Sequence, residues 1–565
     1  MPTSAEPVSV TAGPAQVINQ LCGEIGFEDL IDEQLEWDPS HCKLSPGQRL
    51  KALVINILCG RQPLYKVEQF YYEQDVELLF GPDVKAEDFN DDSLARGLDK
   101  LYQADPWKVY SSLAMSTLRA LNLKLEVLHN DTTSVSVFGA YDRPSELNIT
   151  RGHSKDHRPD LKQIVLGLGT TPQRIPVLAT IEDGNMSDKK WSIAFIKKLR
   201  KQLSAEEWVN LLHVADSALV TTENIREIHY DLNFLSRLPD TFSLCQTLKE
   251  KAWSSGQWQE VGALSDEKGA ATYALQSFYE DFAGRLTRFI VVYSDHLAER
   301  KAKTFKKQRD QERDRLEKAF QSLQQTDFQC AEDALAAWQD FQKKHQSRYF
   351  QLEATVQEEQ QRIKRKTRGR PKKGETPQTR TVYRVHQQAL HVNEEAIKKQ
   401  EQLLSTFVLV SNERYRYEDK KLLEIYKGQS AAETRFKFLK SPAMLDGVYL
   451  KHPERVEALG IVFVMALLLY GMLEYRIRKA MTFEKVPLTL PGKRKSIKPT
   501  GQALLESLTS IKVLLIPKEE GSTQRFLLGN AEETACRIVQ LAGFDMNIFT
   551  NGPQAEKASK ANSTK

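Results

Sequence analysis

The stretch Leu123–Val137, which reads LKLEVLHNDTTSVSV, opens the first segment of the chain in which apolar and polar residues alternate. This alternation has the period of a half-buried β-strand, and β-branched residues return towards its end. Asp131 stands in the middle of the stretch, where a buried strand tolerates a carboxylate only if that group has a partner. The sequence therefore predicts a strand here and implies a partner for Asp131.

The region before this strand has the pattern of α-helices. Residues 14–118 place apolar residues three and four positions apart. Ser45-Pro46 is a favourable N-cap followed by proline at the first helical position. We expect residues 1–118 to form a helical N-terminal domain, and the family resemblance described below implies that it is an accessory domain. The pattern is equally typical of a plain helical bundle and of a domain that binds DNA ends.

Downstream of the first strand the sequence predicts a mixed α/β sheet. Two apolar runs joined by a short turn indicate a hairpin, and strands and helices follow one another after it. The predicted elements are the hairpin strands 163–171 and 175–184, a helix 188–203, a strand 208–216, a helix 222–229 and a strand 233–239. The strand 208–216 ends on a second isolated carboxylate, Asp216.

A charge-rich segment interrupts this sheet. Residues 297–323 and 331–363 carry charges of both signs, with apolar residues at roughly helical spacing. Such a pattern is typical of solvated helices. We therefore expect a largely helical insertion over residues 241–404.

Strand signals return after the insertion, at residues 406–411. A helical stretch over 419–441 follows, and it carries a lone acid, Glu433, among basic and aromatic residues. The sequence thus predicts a core in two parts with flanking regions: 1–118, 119–240, 241–404, 405–484 and 485–565.

Composition indicates a soluble protein of several domains. The 565 residues exceed what one hydrophobic core holds, and a net charge of +4 with 41% hydrophobic residues is ordinary for globular proteins. Six cysteines without a CxxC pair argue against a zinc site and a disulfide framework, and fit a reducing cytosol. Leu459–Leu473 is uncharged but shorter than the roughly 20 residues that span a bilayer. We expect it to be a buried core helix and expect no membrane partner.

Three isolated carboxylates, Asp131, Asp216 and Glu433, are the candidates for chemistry. Adjacent strand ends bring side chains close, and like charges that approach each other raise a pKa unless cations lie between them. Mg²⁺ prefers oxygen ligands, and two such ions about 4 Å apart assist in-line phosphoryl displacement. Taken singly, each acid is more simply read as a cap or turn residue. Four histidines fit no helical metal pair and are expected to be hydrogen-bonded structural residues: His129, His153, His157 and His213.

Four motifs in order resemble the DDE transposases of bacterial insertion sequences. They are LHNDTTSVSVFG, RGHSKDHRPDLKQIVLGL, LHVADSALVTTENI and YKGQSAAETRFKFLKSP, which cover about 120–240 and 405–480. The resemblance implies a ribonuclease H-like catalytic core interrupted by the insertion. It also implies that Asp131, Asp216 and Glu433 are the catalytic residues and bind two Mg²⁺ ions, with Mn²⁺ able to substitute.

The last motif resembles a signature of these transposases: Tyr, two residues, Arg, three residues, Glu, six residues, Lys. Tyr426, Gln429, Glu433 and Lys440 occupy those positions, with glutamine in place of arginine. In one continuous helix the four side chains would share a face. The resemblance implies that Tyr426, Gln429 and Lys440 contact DNA near the scissile phosphate, although glutamine brings no charge.

A basic tract inside the insertion is a second candidate for DNA binding. Gln361–Lys373 packs eight Lys or Arg into thirteen residues, and Arg368 and Arg370 stand in an Arg-Gly-Arg-Pro sequence that resembles an AT-hook. Such a peptide enters the narrow minor groove of A·T-rich DNA. A disordered basic linker is the alternative. Trp253 and Trp258 are expected to pack within the protein, with stacking on an extruded base as the alternative.

The sequence thus predicts a Mg²⁺-dependent transposase that cuts DNA at element ends and joins the freed 3′-OH to target DNA. Its partner would be double-stranded DNA, bound by a dimer, and its location the bacterial cytoplasm at the nucleoid. A nuclease that only hydrolyses DNA is one alternative. A non-catalytic DNA-binding protein derived from a transposase is another, against which the intact set of three acids argues.

Overall fold

A computed structural model of the chain describes residues 7–142, 145–155, 157–201, 203–228, 232–265, 268–363, 377–429, 435–436, 450–517, 523–529 and 532–551. The chain divides into two compact units, which are described one at a time. The first unit comprises Met1–Ser236, Ser411–Arg416 and Lys421–Lys565, and the second comprises Arg237–Val410 and Tyr417–Lys420.

The first unit begins with a short strand and a set of helices, which confirms the predicted helical N-terminal region. These elements are β1 (Val8–Thr11), α1 (Gly13–Ile25), α2 (Phe27–Asp32), α3 (Pro46–Ile55), α4 (Val67–Tyr71), α5 (Val76–Phe80), α6 (Asp91–Gln103) and α7 (Pro106–Ala120). Ser45 caps α3 as its sequence indicates: its hydroxyl accepts from the Gln48 N–H, while the Gln48 side chain accepts from the Ser45 N–H. This reciprocal pair fixes where α3 begins.

A mixed sheet follows in the same unit. Its elements are β2 (Val127–Val137), β3 (Lys162–Thr170), β4 (Pro176–Glu182), α8 (Asp188–Arg200), α9 (Ala205–Asn210), β5 (Leu212–Val214), α10 (Thr222–Ile228) and β6 (Asn233–Arg237). The strand order is β4-β3-β2-β5-β6. β3 is antiparallel to both neighbours, while β5 runs parallel to β2 and β6. The mixed α/β class and the predicted hairpin are thus confirmed.

One predicted strand is much shorter than expected. The strand placed at 208–216 is reduced to β5, because the residues before it form α9. Ser204 and Glu207 make a capping box at the start of α9, and Trp208 is buried by it. The reciprocal cap stabilises a helical turn over residues whose apolar character resembled a strand.

The second unit contains both helices and strands. Its elements are α11 (Ser243–Ser255), β7 (Gln259–Ala263), β8 (Thr272–Phe282), β9 (Arg285–Ser294), α12 (Asp295–Gln324), α13 (Ala331–Lys344), β10 (Phe350–Arg362), β11 (Thr379–Val392), α14 (Glu394–Leu404) and β12 (Thr406–Ser411). The strand predicted at 406–411 and the helix predicted at 297–323 are confirmed. Trp253 and Trp258 pack on each other with ring centroids 5.1 Å apart, as the packing interpretation predicts.

Residues 350–362, which the charge pattern placed in a helix, form β10 instead. Phe350 and Leu352 are buried at alternate positions and join a cluster that includes Trp338, Phe341 and Val385. β10 pairs along its length with β11. The helical prediction was wrong here because a two-residue repeat on an otherwise polar strand leaves few apolar positions to recognise.

The first unit closes with a long core helix and a small C-terminal region. Its elements are α15 (Asp419–Lys427), α16 (Pro453–Glu484), β13 (Leu488–Leu490), β14 (Arg494–Ser496), α17 (Gly501–Leu508), β15 (Lys512–Pro517), β16 (Thr523–Leu527) and α18 (Glu533–Leu541). Among the described residues, α16 is the one helix long and apolar enough to cross a membrane, and 83% of its most apolar window is buried. Its burial confirms the predicted core helix.

Candidate active site

Parallel pairing of β2 and β5 brings two of the predicted acids together. Along this pair Val127 lies opposite Leu212, and His129 lies opposite Val214. Each acid follows two residues later, so the same register sets Asp131 level with Asp216. The Asp216 carboxylate also caps the turn that follows β5, where it accepts a hydrogen bond of 3.0 Å from the Ala218 N–H. The Asp216 side chain therefore both caps this turn and belongs to the candidate site.

Burial and mutual repulsion make both carboxylates costly to ionise. Burial is the main cause that raises the pKa of Asp131 to about 6, and the charges of Asp216 and Asp188 raise it further. Lys155 and the Thr132 N–H act in the opposite direction. Burial likewise raises the pKa of Asp216. A divalent cation between the two oxygen donors would offset this cost.

A third acid, Asp188, belongs to the same cluster and was not singled out from the sequence. It is the first residue of α8, and its Oδ1 accepts a hydrogen bond of 2.5 Å from the Thr132 hydroxyl. Its charge raises the pKa of both Asp131 and Asp216. Acids are common in the first turn of helices, so the sequence around Asp188 carries no signal that separates it from an ordinary helix start.

Lys155 supplies the positive charge of the cluster. Its Nζ lies 3.9 Å from Asp131 Oδ1 and 3.5 Å from Asp188 Oδ2. The same Nζ donates to the Thr132 carbonyl at 2.7 Å and to the Thr132 hydroxyl at 2.9 Å. The sequence placed Lys155 in a basic loop over 151–162 and left open whether that loop positions phosphates or is only solvated. In the structure this loop brings the Lys155 ammonium near the carboxylates of Asp131, Asp188 and Asp216. The cluster therefore has an excess of negative charge, which favours binding of a further cation.

Two buried histidines lie on the same strands as the acids. The Asn130 amide nitrogen lies 2.6 Å from His213 Nε2, as expected of a hydrogen-bonded structural histidine. The corresponding prediction for His129 was wrong, since its two ring nitrogens make no hydrogen bond within the described residues. Burial lowers the pKa of His129 to about 4 and that of His213 to about 3. Both imidazoles are therefore neutral at pH 7, and they add no positive charge beside the acids.

The helix predicted over 419–441 is interrupted at a glycine, Gly428. α15 ends at Lys427, and Gln429 follows in a turn where its N–H donates to the Tyr426 carbonyl at 3.1 Å. The continuous helix expected over 419–441 is therefore wrong at this point. A Cβ on Gly428 would lie only 3.2 Å from His129 Nε2, so glycine allows the chain to pass close to β2. Glycine also ends helices readily.

Several predicted residues lie outside the described part of the chain. They are Glu433, Lys440, Arg368 and Arg370. The described residue nearest Glu433 on its C-terminal side is Arg435, which is 1% exposed and bonded to Glu474 of α16 at 2.9 Å. Its Nε donates to the Arg174 carbonyl at 2.8 Å, in the turn between β3 and β4. The chain two residues after Glu433 is thus held against the core.

The donor set of the cluster suits a hard divalent cation. Asp131 on β2 and Asp216 just after β5 offer carboxylate oxygens, which are the ligands that Mg²⁺ prefers. Within the described ranges, no three His, Cys, Asp or Glu side chains are grouped closely enough to hold a metal by themselves. The third predicted ligand, Glu433, is outside those ranges, so the two aspartates are the part of the set that can be located.

The N-terminal part of the chain matches a known protein family. Residues 14–115 match a protein family described as a domain of unknown function, DUF4277. No curated protein matches the chain. The matched residues cover the helical N-terminal region and end before β2, so they include none of the acids of the candidate site.

Proposed function

We propose that the chain is a Mg²⁺-dependent DNA transposase of the DDE type. The observation that carries the proposal is that the parallel register of β2 and β5 sets Asp131, on β2, opposite Asp216, two residues beyond the end of β5, with burial raising the pKa of both. Proteins seldom keep two buried acids side by side unless a bound cation or a reaction uses them. The mixed sheet that carries them has the class expected of a ribonuclease H-like core.

Asp131, Asp216 and Glu433 are the proposed metal ligands, for two Mg²⁺ ions or for Mn²⁺ in their place. Bound there, the ions would supply activation of the attacking oxygen and stabilisation of the leaving oxygen in an in-line displacement. The protein's own contribution is to hold the carboxylates at fixed positions on rigid strands. Asp216 is fixed by the Ala218 N–H, and Asp131 by the Thr132 N–H at 2.8 Å.

The remaining proposed roles concern DNA. Tyr426, Gln429 and Lys440 contact the backbone near the scissile phosphate, and Arg368 and Arg370 add affinity through the minor groove. Double-stranded DNA is the partner, both at element ends and as target. Because two ends must meet before joining, the active species is a dimer on DNA, working at the nucleoid of a bacterial cell.

The test uses the purified full chain and linear DNA that carries the sequences flanking its coding region. With Mg²⁺ we expect strand cleavage at those ends and joining of the 3′-OH to a target duplex. Asp131→Asn and Asp216→Asn should abolish cleavage and retain end binding, whereas Asp160→Asn, on an exposed loop acid, should retain both. Cleavage without joining would identify a nuclease, and binding without cleavage by the wild type would identify a non-catalytic DNA-binding protein.

A further inference from the structure

The C-terminal region carries a cationic hairpin that the proposed function does not use. Residues 485–499, KVPLTLPGKRKSIKP, are called here the basic hairpin, and they contain five Lys or Arg and no acid. The five are Lys485, Lys493, Arg494, Lys495 and Lys498. The whole chain has 79 basic and 75 acidic residues. The basic hairpin, with five basic residues and no acid, is therefore much more positively charged than the chain on average.

Buried leucines fix the base of the basic hairpin. β13 and β14 pair antiparallel, with Leu490 opposite Arg494. Leu488 and Leu490 are buried on one face of β13, which packs against α17 and α18. At the tip, Gly492 and Lys493 have φ values of 75° and 59°, so the chain reverses tightly and projects the cationic strand. The leucines thus act as an anchor, and the charges lie beyond it.

Two arginines hold the ends of the basic hairpin. Arg537 donates to the Val486 carbonyl at 2.9 Å and to the Pro487 carbonyl at 3.2 Å. Arg478 of α16 donates to the Pro499 carbonyl at 2.9 Å. Both ends are therefore bonded to helices of the first unit, which makes the hairpin a fixed projection.

The cations of the tip have no acidic partners of their own. Lys493, Arg494, Lys495 and Lys498 are all exposed, and within the described residues none of them forms an ion pair. Ile497 beside them is 53% exposed. A fixed strand that exposes four cations is complementary in charge to a polyanion.

We propose that the basic hairpin binds the phosphate backbone of double-stranded DNA. The proposal rests on the proposed function for its partner and assigns that partner a second contact surface, formed by residues other than those of the candidate active site. A two-stranded ribbon has the dimensions of a DNA groove. Each phosphate neutralised by a Lys or Arg releases counterions, so the contact adds affinity that falls steeply with salt.

The experiment compares two quadruple variants of the full chain. One is Lys493→Gln, Arg494→Gln, Lys495→Gln and Lys498→Gln. The matched control, Lys493→Arg, Arg494→Lys, Lys495→Arg and Lys498→Arg, changes the same positions and keeps their charge. Binding to a fluorescent duplex of arbitrary sequence is measured by anisotropy in EDTA over a range of NaCl, so that metal at the acids takes no part.

We expect the glutamine variant to bind at least about tenfold more weakly at low salt, and its log–log salt slope to fall by roughly 3. The control should match the wild type. Equal affinity and slope for the glutamine variant would overturn the proposal, as would binding of the hairpin to anionic phosphatidylserine vesicles in preference to DNA. If the glutamine variant has a lowered melting temperature, the single change Lys493→Glu at the exposed tip gives the same comparison.

Failure of the hairpin and failure of the proposed function give different results. If the wild type binds and cleaves DNA and the glutamine variant binds equally well, only the proposed role of the basic hairpin is refuted. A wild type that binds no duplex at any salt concentration removes DNA as the partner, and the proposed function with it.

Discussion

The ammonium of Lys155 lies 3.9 Å from the nearer carboxylate oxygen of Asp131, on a loop that also bonds to the strand carrying that acid. The backbone N–H of Lys155 donates to the Ser134 hydroxyl at 2.8 Å, so the lysine is fixed at two points. Lys155 is therefore held against the strand that carries Asp131, and its charge competes electrostatically with any metal for the same carboxylate.

Replacing Lys155 with methionine should destabilise the metal-free protein. The change removes an ammonium that opposes repulsion among the acids, and we expect a loss of about 1 kcal/mol, limited because the lysine side chain is 34% exposed. Adding Mg²⁺ should then raise the melting temperature of Lys155→Met more than that of the wild type. Lys155→Arg is the control. Equal stabilisation of both proteins by Mg²⁺ would contradict this role.

Asp131→Asn should remove cleavage and still make the metal-free protein more stable. An amide at this position needs no ionisation, whereas burial raises the pKa of the carboxyl to about 6. We expect a gain of about 1 kcal/mol at pH 8 in EDTA, measured by chemical denaturation. A stability unchanged or lowered at pH 8 would show that the carboxylate is satisfied by its protein neighbours.

Breaking the ion pair of Arg435 and Glu474 should strongly destabilise the first unit. Both side chains are at most 3% exposed, and Glu474 also contacts Arg478 at 2.5 Å. Arg435→Met leaves a buried carboxylate with fewer partners, at a cost of about 3–5 kcal/mol in the free energy of unfolding. Removing the exposed pair partner Arg158 by Arg158→Met should cost under about 1 kcal/mol. Similar losses of unfolding free energy in the two variants would contradict the role of Arg435 as a buried anchor.

Glu457→Gln should stabilise the protein at high pH and have no such effect at low pH. Burial, with the nearby acids Glu182 and Glu146, raises the pKa of Glu457 to about 7 from 4.5. The folded state therefore binds the proton more tightly, and the carboxylate lowers stability progressively as pH rises from about 4.5 to 7. At pH 8 we expect a gain of about 1–3 kcal/mol, and at pH 4 none.

Thermal melts of Glu457→Gln at several pH values check this window. Glu454→Gln, one turn earlier on α16, controls for the loss of a negative charge. A gain of the same size at pH 4 and pH 8 would mean that packing of the amide, and not ionisation of Glu457, is responsible.

Sequence patterns predicted the elements of the fold that depend on interactions between residues close together in the chain. Three patterns were of this kind: the alternation before Asp131, the hairpin around Pro172 and the apolar run of α16. In each of them the residues that become buried lie within one short segment of the chain. β10 was missed because its apolar face is only a few residues long. The break at Gly428 depends on the nearness of His129, a residue almost three hundred positions away in the chain.

The candidate site was predictable only in part, for a similar reason. Asp131 and Asp216 were found because each is an isolated acid in an apolar strand. Asp188 and Lys155 are ordinary residues in their own segments, a helix start and a basic loop. They become part of the site because folding brings α8 and the loop after β2 to the same place.

The position of α16 in the chain has a consequence for synthesis. This helix packs against α3, α6, α7 and β4, the last of which ends at Glu182. A ribosome must therefore translate past Glu484 before the apolar faces of those early elements are covered. A nonsense or frameshift mutation upstream of Pro453 should leave an open core that proteases remove. Such alleles should behave genetically as recessive nulls and yield no folded fragment able to interfere with the intact protein.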